Sequence, residues 1–195
     1  MIGRRIHGVR HPVSFSGTPM KRILSLSVFA LSTSLAAQSP SSGVVATSSA
    51  VWSETIGNII KSAEQMPEAK YSFRPTPAVR TFGQIIGHVA GAQYTYCSAA
   101  MGDTGANEGD IEKTKTSKAD LVAAIKASTE YCRRAYAQSD AAAMGMTKVF
   151  GESNSKLYAL IGNASHDAEH YGNIVTYLRI NGMVPPSSQP APPAK

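Results

Sequence analysis

The run SHDAEHYGN, residues 165–173, places His166 and His170 four residues apart, with Asp167 and Glu169 between them. On a helix, residues i and i+4 stack on one face about one turn apart, so two such imidazoles can share a metal ion. A catalytic zinc site usually takes three protein ligands and keeps a position for water. The letters HDAEH match the inverted zincin pattern H-x-x-E-H. That chemistry needs a further acidic ligand downstream, and no Asp or Glu follows Glu169. The ordinary pattern H-E-x-x-H needs Glu where Asp167 stands and lacks a third ligand here as well. Neither protease reading holds.

The remaining partner for the pair is His88, in FGQIIGHVAGAQYTYC. At about 100° per residue, His88 sits on the flank of that segment's apolar stripe, in line with Gln84, Ala92 and Thr95. Ala92 and Ala99 are small enough to leave room for a ligand. Three neutral imidazoles from two helices would bind one face of a divalent ion and leave the rest to water or substrate. The rival reading is a solvated polar face. Leu157, Leu160, Ile161, Ala164, Ala168, Tyr171, Val175 and Leu178 form the main apolar stripe of the last helical segment, and His166 and His170 lie far round from it. Asn163, Asn173 and Tyr177 share the histidine side. On this pattern Asp167 and Glu169 read as surface carboxylates more readily than as acid–base groups, and Tyr171 reads as core packing. Gln84, Asn163 and Asn173 are candidates to orient the imidazoles from an outer layer.

Four helical segments must position these side chains. The first spans about Ala50 to Gln65, with Pro67 just beyond. The second opens at Thr81, with Gln84 completing a capping box, and ends near Gly102. The third opens at Ser117, with Asp120 in the box position, and runs to about Gln138. The fourth starts near Ser153 or Asn154 and continues to Asn181, where Gly182 and Pro185-Pro186 end it. DTGANEGDIEKTKT reads as a polar loop, 139–152 as irregular, and little reads as strand. The fold class is therefore all-α, a four-helix bundle over residues 50–186. Residues 38–49 read as a linker and 187–195 as a disordered tail.

The N-terminal 37 residues read as an extension plus a signal peptide. Met20-Lys21-Arg22 is a basic start, Ile23 to Leu35 an apolar run, and Ser34-Leu35-Ala36 a small-residue cleavage signal. Met20 is then a natural start in place of Met1. The apolar run is shorter than the roughly 20 residues a membrane span needs, so no stable membrane anchor remains after cleavage. The expected location is periplasmic or secreted. The formal charge of +6 belongs mostly to this region: without it, 14 basic and 13 acidic residues remain. That leaves no basic stripe for phosphates and no case for nucleic acid.

Two cysteines remain. Cys97 lies 16 residues past the Thr81 cap and Cys132 lies 15 past the Ser117 cap. Equal depths bring the sulfurs level only if the second and third helices run parallel, which predicts an up-down-down-up bundle and a Cys97–Cys132 disulfide. The alternative is two separate buried thiols.

FGQIIGHVAGAQYTYC and SHDAEHYGNIVTYLRINGMVPPSS together resemble the DinB-like metal-binding four-helix bundles, over about residues 45–186. The resemblance implies an up-down-down-up fold with a divalent metal, typically zinc or nickel, on His88, His166 and His170. Relatives of this kind include transferases and isomerases that use low-molecular-weight thiols, and others named hydrolases on metal geometry alone. An exported chain departs from the thiol-using members, whose thiols are mainly cytosolic. The expected function is a metal-dependent hydrolase or thiol transferase acting on a small molecule. The alternative is a non-catalytic module that binds metal or a small ligand. No nucleophile elbow, P-loop or dinucleotide fingerprint supports another class. With an apolar stripe on one side and the histidines on another, the last helix is buried on two sides or lines an open cleft, which leaves room for a homodimer.

Overall fold

Local capping chemistry sets four of the helix starts among the described residues. The computed structural model describes residues 43–103 and 108–190. In chain order the elements are α1 (Val44–Gln65), α2 (Phe82–Met101), α3 (Glu108–Thr114), α4 (Lys118–Ala135), α5 (Asp140–Ala143), β1 (Met146–Val149), β2 (Glu152–Ser155) and α6 (Lys156–Ile180). Thr81 and Gln84 form the expected reciprocal capping box at α2. Ser117 caps α4 through the Asp120 backbone N–H, and its hydroxyl donates to the Asp120 carboxylate at 2.8 Å. Ser155 caps α6. Gly102 and Gly182 end α2 and α6 with φ of 80° and 74°, a backbone that favours glycine.

Several boundaries differ from the sequence reading. The first helix begins at Val44, so residues 44–49 are helical and not linker. Its cap is not local: the Asp140 carboxylate, brought in by α5, accepts from the Val44 and Val45 N–H groups at 3.1 and 3.0 Å. Residues 187–189 are not a free tail. The Ser187 N–H donates to the Tyr171 hydroxyl, and the Gln189 amide reaches Gln65. Residues 146–155 form an antiparallel hairpin that pairs Met146 with Ser155 and Val149 with Glu152, so the last helix starts at Lys156 and not near Ser153 or Asn154. The polar loop contains α3. Residues 1–42 and 191–195, and with them the signal peptide, the start of the linker and the end of the tail, lie outside the described residues.

The helix directions follow from cross-contacts. Leu121 meets Gly83 and Gly87, Gln93 bonds Ser128 and Thr129, and Cys97 is joined to Cys132, so α2 and α4 run parallel. The disulfide spans 5.3 Å between Cα atoms, and both residues are fully buried. Arg80 meets Tyr177, His88 meets His166 and Tyr96 meets Gly162, so α2 and α6 run antiparallel. The start of α1 lines a groove with the first half of α6, and Gln65 reaches Val184 beyond the end of α6, so α1 and α6 are parallel. The order is up-down-down-up for α1, α2, α4 and α6.

The core is apolar with a polar belt across its middle. Trp52 of α1 stacks on Tyr136 at 4.3 Å and donates its indole N–H to Gln93 of α2. Gln93 in turn donates to Ser128 of α4. The Tyr136 hydroxyl donates to the Leu160 carbonyl and accepts from the Asn163 amide of α6. The belt links all four helices by hydrogen bonds and so favours one register among them. No helix among the described residues is long and apolar enough to cross a membrane.

Candidate metal centre

His88 is the seventh residue of α2, about one turn after the capping box that starts the helix. His166 and His170 lie on successive turns of α6, which runs antiparallel beside it. The three imidazoles meet between these helices. His166 Nε2 stands 3.0 Å from His88 Nε2 and 3.1 Å from His170 Nε2. The three candidate ligand atoms all lie within 4.8 Å of one another. A tetrahedral zinc with Zn–N of about 2.1 Å separates its nitrogens by about 3.4 Å. The two spacings to His166 are a few tenths of an ångström tighter, within what side-chain torsions adjust. The donor set also fits: burial, together with His166, His88 and Arg80, pushes the His170 pKa down to about 3, which keeps that imidazole neutral and its lone pair available.

The histidine side of α6 faces the bundle, not solvent. Asn163, Asp167, His170, Ile174 and Tyr177 are buried, whereas Ile161 is 52% exposed and Ala168 is also exposed. Leu160, Ala164 and Leu178 of the apolar stripe are buried as well, so α6 is buried on two sides. Asp167 is correspondingly no surface carboxylate: it is fully buried, and neither oxygen makes a hydrogen bond. His166 Nδ1 is its nearest charge partner, at 3.7 Å. Burial raises the Asp167 pKa to about 6, with His166 pulling the other way. Glu169 is exposed, as the sequence suggests.

The candidates for orienting the imidazoles are placed as follows. Gln84 gives its carbonyl to the Thr81 N–H at 2.8 Å, and Asn163 donates to Tyr136. Asn173 is exposed and lines a cavity beside His170. Glu112 of α3 stands closer: its Oε2 is 3.3 Å from His88 Nδ1, and its Oε1 accepts from Arg80 Nε at 2.9 Å. The sequence reading left Glu112 in a polar loop. The signal that marks it is Gly87, a buried glycine inside a helix next to a candidate ligand, which indicates a close backbone approach.

The cavity has a volume of about 620 Å³. Arg80, Glu112, Glu169, His170, Asn173 and Tyr177 line it, together with Pro75, Thr76, Ala78 and Val79 of the connection before α2. On the opposite side of the cluster, Tyr96 packs against His166, and Phe150 of the hairpin turn packs against Tyr96.

A family model described as the DinB superfamily matches residues 52–174 of this sequence, more than half of the chain and inclusive of all three histidines. The chain belongs to the DinB superfamily. A DinB-like protein from Bacillus cereus ATCC 10987, known from its crystal structure, shares the fold with a TM-score of 0.61. The match covers 71% of this chain and 93% of that one at 15% sequence identity. No curated protein sequence matches the chain. The four-helix arrangement and the histidine cluster are thus those of a DinB-superfamily member, with residues suited to holding a metal ion.

Proposed function

We propose that this DinB-superfamily chain holds one divalent transition metal, zinc or nickel, on His88, His166 and His170, and hydrolyses a small molecule that enters the cavity beside His170. The observation that carries this reading is the convergence of three imidazole nitrogens, with His170 at the wall of a cavity large enough for such a molecule. A metal so held supplies a water of lowered pKa, near 7 in the best zinc sites. The chain's own residues do the rest. Arg80 and Asn173 offer donors to a polar substrate, and Glu169 is the carboxylate of the motif that reaches the cavity and handles the proton. Asp167, sealed beneath His166, stays out of reach of substrate.

Export belongs to the same proposal. The leader-like N-terminus and the buried disulfide support it, because disulfides persist in oxidising compartments. Such a location argues against a cytosolic thiol as co-substrate and so favours hydrolysis over thiol transfer. One observation favours the non-catalytic reading: Glu112 and Asp167, the carboxylates nearest the imidazoles, face the histidines themselves.

The test is bound metal measured by mass spectrometry on the full-length chain after expression in a bacterial host, beside His88→Ala and His170→Ala. The expected result is about one equivalent in the parent and loss in both variants. A parent that neither carries metal nor takes it up when folded would end the reading. A panel of esters and lactams then separates enzyme from module: turnover that depends on metal and drops in Glu169→Gln identifies a hydrolase, whereas stable metal without turnover leaves the binding module.

A further inference from the structure

The packing of α3 against α2 is closer than two helices ordinarily allow. A Cβ at Gly87 would stand 2.9 Å from the Glu112 Cα and 3.3 Å from its backbone nitrogen. The absence of a side chain at Gly87 thus lets the α3 backbone rest directly on α2, one residue from His88. The Glu112 carboxylate is held at both oxygens. Oε1 accepts from Arg80 Nε at 2.9 Å, and Oε2 lies 3.3 Å from His88 Nδ1. The side chains of Glu112 and His88 are 21% and 12% exposed, so the contact is partly shielded from water.

His88 Nδ1 has a second neighbour. Arg80 Nη2 lies 3.3 Å away. A guanidinium only donates and a carboxylate only accepts, so the two impose opposite tautomers on the ring. With the proton on Nδ1 and given to Glu112, Nε2 keeps its lone pair toward His166 and His170. With Nδ1 accepting from Arg80, the neutral ring carries its proton on Nε2 and cannot ligate there. We infer that Glu112 is a positioning residue for His88: it holds the proton on Nδ1 against Arg80 and thereby presents Nε2 to the ion. This inference rests on the three-histidine reading above. Carboxylate partners of ligating histidines commonly change metal affinity by about ten- to a hundred-fold when removed.

The experiment has two arms, both on the full-length chain. The first is zinc affinity by chelator competition for the parent, Glu112→Ala, Glu112→Gln, Arg80→Gln and the double variant Glu112→Ala/Arg80→Gln, each checked for helix content and melting temperature. The expected result is affinity lower by about ten-fold or more in Glu112→Ala, a smaller loss in Glu112→Gln, which keeps an acceptor oxygen, and partial recovery in the double variant. A merely structural role for Glu112 gives no recovery when Arg80 is also changed. The second arm is the ¹⁵N chemical shifts of the His88 ring in the metal-free chain at pH 7.5, which report the tautomer without any metal. Protonated Nδ1 in the parent and protonated Nε2 in Glu112→Ala support the inference. Unchanged zinc affinity in Glu112→Ala, or an unchanged tautomer, overturns it. A parent that binds no zinc ends the metal reading, and the tautomer arm still decides the role of Glu112.

Discussion

Asp167 shows how far one buried carboxylate departs from what its neighbours in sequence suggest. It stands between His166 and Glu169 in a polar motif, yet it is fully buried, and burial raises its pKa to about 6. A carboxyl whose pKa rises on folding binds more protons in the folded state between its unfolded and folded values. Stability therefore falls as pH rises from about 4 to about 6 and stays lower above that. Asp167→Asn removes the charge that burial penalises. In the metal-free protein at pH 7.5 it is expected to raise stability, by at most about 3 kcal/mol for the shift of about two pH units, and to flatten the pH dependence of urea midpoints between pH 4 and 6. In the metal-loaded protein it is expected to weaken zinc binding, because the negative charge behind His166 is lost. The residue types of the site were legible in the sequence and the depth of this one was not. Hydrophobic periodicity points to an inward face only when the interior is apolar, and here Asn163, Asp167 and His170 occupy bundle-facing positions.

At the scale of elements, boundaries set by local capping were readable and those set by distant groups were not. Thr81 with Gln84, Ser117, Gly102 and Gly182 mark their helix ends within a turn. The start of α1 was missed because its capping carboxylate, Asp140, lies 96 residues away from Val44. The β1–β2 hairpin was missed because its strands are short and polar, and because its turn puts Phe150 at φ 52° beside Gly151 at φ 87°, where Asn-Gly would have announced it. The α3 helix was missed because seven residues of EGDIEKT carry no apolar face. The α2 cap is the element on which the site most depends, since it fixes the first turn of the helix that carries His88. Thr81→Ala is expected to cost about 1 kcal/mol, read as a lower urea midpoint with an unchanged slope. Thr81→Ser, which keeps the hydroxyl, is expected to remain near the parent.

At the scale of the molecule, the parallel course of α2 and α4 was legible because two cysteines lay at equal depth from two caps. The Cys97–Cys132 bridge closes a loop of 35 residues that contains α3. Chain-entropy arguments put the stabilisation from such a loop at about 4 kcal/mol, with measured values more often 2–4 kcal/mol. Unfolding in urea with and without a strong reductant is expected to show a loss of that order. An equal midpoint under both conditions would mean that the bridge adds nothing. The up-down-down-up order also places the first and last bundle helices side by side and parts the histidines along the chain: His88 lies 78 residues before His166. No half of the chain made alone holds a complete ligand set, and a preformed site does not exist in the unfolded state. The ion is therefore acquired only after α6 docks. If the chain is exported as proposed and folds after crossing the membrane, its metal comes from the pool outside the cytoplasm. On that reading the supply there, as much as the chemistry of three imidazoles, would decide which metal the protein carries.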